Sequence, residues 1–96
     1  MEFVVFGYDG KDEDALNRRL AVREEHLKNA QKMFDENKLL FASALLDENG
    51  KMNGSVMFFE FPSQKVLEEE WLNTEPYNTG KVWEKVIIKS AKIANH

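Results

Sequence analysis

Two stretches with strand character are apolar on both sides of their alternation, and this constrains the chain more than any other feature. In residues 2–8, Phe3 and Val5 point one way while Val4, Phe6 and Tyr8 point the other; in residues 55–61, Met57, Phe59 and Phe61 oppose Val56 and Phe58. A sheet with one solvated face alternates apolar and polar residues, and these stretches do not. Both faces of the sheet therefore have to be covered. A chain of 96 residues has few elements to do it with.

The rest of the chain supplies two helices. Asp9-Gly10 ends the first strand, and Asp12 or Asp14 can cap a helix over residues 14–36. On that helix Leu16, Leu20, Leu27, Ala30 and Phe34 form an apolar stripe, and Asn37-Lys38 ends it. Residues 38–46 read as a second strand, residues 47–51 as a turn built on Asn49-Gly50, and residues 54–61 as a third strand. Ser63 caps a second helix carrying Val66, Leu67, Trp71 and Leu72 at helical spacing. Residues 73–80 read as a loop or a short helical turn, and residues 81–90 as the last strand. The order β-α-β-β-α-β predicts an α+β, ferredoxin-like antiparallel sheet with both helices on one face, in a single domain spanning residues 1–96. Two helices cover one face only. A second copy packing sheet to sheet is the simplest cover for the other, so a homodimer is expected.

Composition narrows the function classes. The formal charge of −4 (13 Lys and Arg against 17 Asp and Glu) argues against a nucleic-acid surface, and the basic-glycine-aromatic signature of RNA-binding sheets is missing. No apolar run approaches the ~20 residues of a membrane span. The sequence begins directly with strand-like residues and no basic-then-apolar leader, so export is not expected. Zero cysteines rule out thiolate ligands and a cysteine nucleophile, and fit a cytoplasmic location.

Chemistry concentrates on the first helix. Arg19, Arg23 and His26 fall at i, i+4, i+7 and share one stripe, beside the apolar one, which places His26 at the border of core and solvent. The only other histidine, His96, is the last residue and is expected to fray. In the predicted topology the end of strand 1, the start of helix 1 and the beginnings of strands 3 and 4 share one rim. Asp9, Arg19, His26, Gly54-Ser55 and Glu75-Pro76-Tyr77 therefore gather there. An imidazole with Asp9 or Glu75 to orient it suffices for proton abstraction, with Arg19 or Arg23 holding an anionic substrate and Ser55 and Tyr77 as further donors. One internal histidine with dispersed carboxylates shows no metal-ligand spacing, and no cofactor motif is present, so neither a metal nor a cofactor is expected.

Tyr8-Asp9, the block Arg19-Leu20-Ala21-Val22-Arg23-Glu24-Glu25-His26-Leu27, Asn37-Lys38-Leu39-Leu40, Gly54-Ser55, Pro76-Tyr77 with Gly80, and Val82 to Lys89 together resemble the YciI-like (YCII-related) family over nearly the whole chain. The resemblance implies a dimeric ferredoxin-like α+β barrel with a His–Asp pair in a pocket near the dimer interface. It matches His26 to the family histidine and Asp9 to the acid closing strand 1. One branch of the family removes chloride from chlorinated hydroxyquinols, and the fold resembles muconolactone isomerase. The chain departs at Glu75-Pro76, where the family often has Asp-Pro, and at Ser43-Ala44, where many members have Gly-Pro. The enzyme reading is a cofactor-independent lyase or isomerase, dehydrochlorinase-like, acting by proton transfer on a small anionic or phenolic molecule. The alternative is a non-catalytic dimeric module that binds a small ligand or serves an accessory role.

Overall fold

The computed structural model describes residues 1–95; His96 lies outside the described residues. The elements are β1 (Glu2–Asp9), α1 (Ala15–Asp35), β2 (Leu39–Leu46), β3 (Met52–Glu60), α2 (Gln64–Glu70), a 3-10 turn (Leu72–Thr74), α3 (Pro76–Thr79) and β4 (Trp83–Ala91). The strands form one antiparallel sheet in the order β2-β3-β1-β4, which is the ferredoxin-like fold expected from the sequence. Residues 73–80, read as a loop or short turn, contain the end of the 3-10 turn and the one-turn helix α3. Among the described residues no helix is long and apolar enough to cross a membrane.

Local chemistry explains the boundaries. Ser63 caps α2 by accepting from the Val66 N–H at 3.2 Å. At the other end of α1, Asn37 adopts φ 59°, and the Lys38 and Asn37 N–H groups donate to the Met33 and Phe34 carbonyls. This is a Schellman stop, with asparagine tolerating the left-handed position. In the β2–β3 turn the Asp47 carboxylate accepts from the N–H groups of Asn49 and Lys51, while Gly50 takes the positive φ of 79°.

The core lies between the helices and one face of the sheet. Phe3 and Val5 of β1, Met57 and Phe59 of β3, Leu39 and Trp83 pack there against Ala30, Met33, Leu67, Trp71 and Tyr77. Gly7 continues this row in β1, where a Cβ would lie 2.3 Å from the Trp83 indole, so only glycine leaves room for that ring. The other face carries Val4, Phe6 and Tyr8 in register with Phe58, Val56 and Gly54 on one side and with Lys89, Ile87 and Lys85 on the other. Phe6 stacks on Tyr8, and Phe41 meets Phe58 edge-on while itself 54% exposed.

The facing of α1 overturns one expectation. Leu20, Leu27 and Phe34, expected toward the core, are exposed. The buried stripe is Ala15, Arg19, His26, Ala30 and Met33, with Val22 half-buried between them. Arg19 and His26 thus occupy the inward face while Arg23 stays exposed, and His26, at 8% exposure, lies within that face, not at its border. Burying such groups is tolerable only if each finds partners there, and both do.

Candidate active site

Two buried polar clusters flank the ring of Tyr77. In the first, Asp9 closes β1 and Arg19 reaches down from the first turns of α1. Arg19 Nη1 donates to Asp9 Oδ1 at 2.9 Å and Oδ2 at 3.2 Å, and Nη2 donates to the Gly54 carbonyl at 2.9 Å and to Ser55 Oγ at 2.8 Å. Arg19 is 2% exposed, and its Nε has no partner among the described residues. Burial pushes the Asp9 carboxyl above its usual range, although attraction and hydrogen bonding from Arg19 oppose the shift.

In the second cluster, Glu75 is fully buried and stands at the head of α3, its side chain accepting from the Tyr77 N–H at 3.2 Å with Pro76 in the first helical position. The same carboxylate takes the His26 Nδ1 hydrogen bond on Oε1, and Oε2 accepts from Asn29 Nδ2 at 3.2 Å and Trp71 Nε1 at 3.1 Å. Four donors converge on one carboxylate. A carboxylate in this position is an acceptor only, so the shared hydrogen belongs to His26 Nδ1. Nε2 is then the ring atom with a free lone pair, and it has no protein partner among the described residues.

Tyr77 joins the two clusters. Its ring stacks on His26 with centroids 3.8 Å apart and planes 12° from parallel, and the Arg19 guanidinium carbon lies 4.4 Å from its centroid. Burial raises the Tyr77 phenol above its ordinary value, against the pull of Arg19 and Arg23, so the hydroxyl keeps its proton at neutral pH.

These groups border a pocket of about 160 Å³. Arg19, Arg23, His26 and Leu27 of α1 wall it, Ala42 and Ala44 of β2 with Ser55 and Met57 of β3 floor it, and Tyr77 closes one side. Ser55 Oγ already accepts from Arg19, which leaves its own proton for an acceptor in the pocket. Arg23 is exposed at the mouth and meets no carboxylate among the described residues. A larger groove of about 470 Å³ lies beyond Asp9, between the start of α1 and the β2–β3 turn. No cluster of three or more metal-ligating side chains occurs among the described residues.

The residues singled out in the sequence, Asp9, Arg19, Arg23, His26, Ser55, Glu75 and Tyr77, all meet within this arrangement. The carboxylate beside His26 is that of Glu75, while Asp9 faces Arg19. The longer side chain at the Glu75-Pro76 departure still reaches the imidazole. Sequence reasoning missed Asn29, Trp71 and Met57. Two of these had a readable signal, since Asn29 lies three residues after His26 on α1 and Trp71 four residues before Glu75.

The YCII-related domain model matches residues 1–92. The chain belongs to the YCII-related family. Relatives include a protein named YciI from Escherichia coli O6:H1, 33% identical with 96% of this chain and 97% of that protein aligned, and an uncharacterized protein from Haemophilus influenzae at 34% with the same coverage. Among solved structures, a 5-chloro-2-hydroxyhydroquinone dehydrochlorinase from Burkholderia phenoliruptrix AC1100, complexed with 2,5-dihydroxybenzoquinone, has a TM-score of 0.82 at 17% identity over 98% of this chain and 96% of that one. A dimeric ferredoxin-like protein from an uncultured marine organism has a TM-score of 0.53 at 15% identity over 100% and 97%. At such identities these two structures share the fold with this YCII-related chain.

Proposed function

We propose that the pocket performs cofactor-independent proton transfer on a small anionic or phenolic substrate, a lyase or isomerase reaction of the dehydrochlorinase type. One observation carries this reading: Glu75 holds His26 by Nδ1 and leaves the Nε2 lone pair free at the pocket. His26 Nε2 takes a proton from an acidic O–H or C–H, and Glu75 stabilises the imidazolium that forms. The electron pair released moves into the substrate ring, where it either expels a leaving anion or shifts a double bond, and His26 returns the proton at the next step. Ser55 and Tyr77 donate to the oxygen that gains charge. Arg23 is the anion-holding residue in this reading, because the Nη atoms of Arg19 are already committed. Asp9 and Arg19 are positioning residues that fix Ser55 and the back of the Tyr77 ring.

The pocket volume supports a single-ring substrate, since a cavity of roughly 150 Å³ holds one benzene ring. The neighbouring dehydrochlorinase, complexed with a dihydroxybenzoquinone, points to the same class of molecule. The second sheet face supports a homodimer as the working unit. Its row of Val4, Phe6, Phe58 and Ile87 is apolar, and the chain exposes 6233 Å² against about 5700 Å² for a compact monomer of this mass. A cytoplasmic setting fits a chain without cysteines.

The test is His26→Ala assayed for 2,5-dihydroxybenzoquinone binding and for chloride release from chlorinated hydroxyquinols. Loss of a general base lowers turnover by about 10²–10⁴-fold while binding persists. A wild-type protein that binds these ligands but turns none of them over supports the non-catalytic binding module instead.

A further inference from the structure

We propose that Met52 is the movable partition between the substrate pocket and the adjoining groove, and that it sets the size of molecule the site accepts. The inference rests on the reading of the smaller cavity as the substrate pocket. Met52 lines both cavities, the one of about 160 Å³ at His26 and the one of about 470 Å³ at the start of α1. The rest of the wall between them is the ion cluster, with Asp9 facing the groove and Arg19 and Ser55 facing the pocket. That part is rigid, because Arg19 makes hydrogen bonds of 2.8–2.9 Å to Asp9, Gly54 and Ser55 at once.

Met52 is the soft part of the wall. It is half-buried at the first position of β3, where the β2–β3 register slips beside Leu46. Among the described residues its side chain takes part in no hydrogen bond or ion pair, unlike the members of the ion cluster. An unbranched thioether with three rotatable bonds changes shape at little cost. With Met52 across the gap, the pocket holds one ring. With Met52 turned aside, a second ring or a short tail passes into the groove, along Leu16 and toward Tyr8 and Lys51. The size limit is therefore carried by one side chain, away from the base.

The experiment compares wild type, Met52→Ala and Met52→Leu by calorimetric titration with 2,5-dihydroxybenzoquinone and with the two-ring 2-hydroxy-1,4-naphthoquinone. Truncating the partition should shift the ratio of the two affinities toward the naphthoquinone by about tenfold or more, a step on the scale of pocket-size discrimination. Met52→Leu, which keeps the bulk, should shift it by less than about threefold. An unchanged ratio in Met52→Ala overturns the proposal. A crystal structure of Met52→Ala under xenon reads the partition without either quinone. One continuous cavity from His26 to Asp12 supports it, and two separate cavities overturn it. If neither quinone binds the wild type, the proton-transfer reading fails for this ligand class, and the xenon structure still decides the partition.

Discussion

Replacing Glu75 by glutamine changes one oxygen to an NH₂ group in a fully buried site, with almost no change in volume, so its effect isolates hydrogen-bond polarity. The carboxylate accepts from four donors: His26 Nδ1 and Tyr77 N–H on Oε1, Asn29 Nδ2 and Trp71 Nε1 on Oε2. Glutamine can face only one pair with its oxygen. If the oxygen takes the His26 side, the new NH₂ confronts the Asn29 and Trp71 donors. If it flips, the NH₂ confronts the Tyr77 N–H, and His26 must shift its proton to Nε2, which removes the lone pair from the pocket. The first orientation strands two donors, and the second strands the Tyr77 N–H and costs His26 its pocket-facing lone pair, at roughly 1–3 kcal/mol for each buried group left unsatisfied. A cost of about 3 kcal/mol follows, and at ~4–8 °C per kcal/mol for a domain of this size the melting temperature should fall by about 12–24 °C. Calorimetry at fixed protein concentration measures this, because any self-association would shift the apparent stability. Long-range ¹H–¹⁵N correlation on the imidazole gives a second readout, with hydrogen on Nδ1 in the neutral wild-type ring. A drop of less than about 3 °C, or a wild-type ring protonated at Nε2, would refute the reasoning.

Two further outcomes follow from the same geometry. Light scattering should give twice the 11.2 kDa chain mass, and Phe6→Glu with Phe58→Glu, which places charge on the apolar sheet face, should return the monomer mass; a monomeric wild type would sink the sheet-to-sheet dimer. Arg18 holds the Asp12 carboxyl at about 2, below its ordinary 3.8, through a two-pronged ion pair at 2.7 and 2.8 Å. A depressed carboxyl adds stability that is complete above the unfolded value and is lost as pH falls from 3.8 through about 2. Asp12→Asn should therefore flatten the urea midpoint across that window, and an unchanged pH profile would show that the pair contributes nothing measurable. Asp9, raised by burial, has the opposite sign: ionising it detracts from stability as pH climbs through its raised value, so it does not mimic the Asp12 signal.

The sheet was legible because unbroken runs of strand-forming apolar residues in β1 and β3 and strong turn chemistry over residues 47–51 agree. The Ser63 cap and the Asn37 stop are equally local, and both appear where their residue types place them. The facing of α1 was not legible. Leu20 and Leu27 look like core residues on hydropathy alone, yet they are 51% and 47% exposed while Arg19 and His26 are buried. Hydropathy weighs each side chain by itself, whereas burial of a charged group is decided by its partners. Those partners are Asp9 ten residues back, Ser55 thirty-six residues on and Glu75 forty-nine residues beyond His26. Topology brought the singled-out residues to one rim but could not say which carboxylate would pair with which basic side chain. That pairing depends on α3, a four-residue helix too short for its periodicity to decide between the loop and the short helical turn read for residues 73–80.

The inverted α1 ties fold and chemistry together. Val22 aside, the inward stripe from Ala15 to Ala30 offers little apolar bulk, so that part of the helix is held on the sheet largely by the two polar clusters. Arg19 links α1 to β1 through Asp9, to β3 through Gly54 and Ser55, and to α3 through the Tyr77 ring. Glu75 links α1 to α3 through His26 and Asn29, and to the end of α2 through Trp71. A mutation in either cluster thus perturbs docking and chemistry at once, because removing one partner strands a buried donor or charge on the other. Arg23 and Met52 are the exceptions, since neither has a polar partner in the clusters. On the proposed reading of the pocket, substitutions there should change binding with little cost to the fold, so altered specificity should arise at these two positions before it arises at His26 or Glu75.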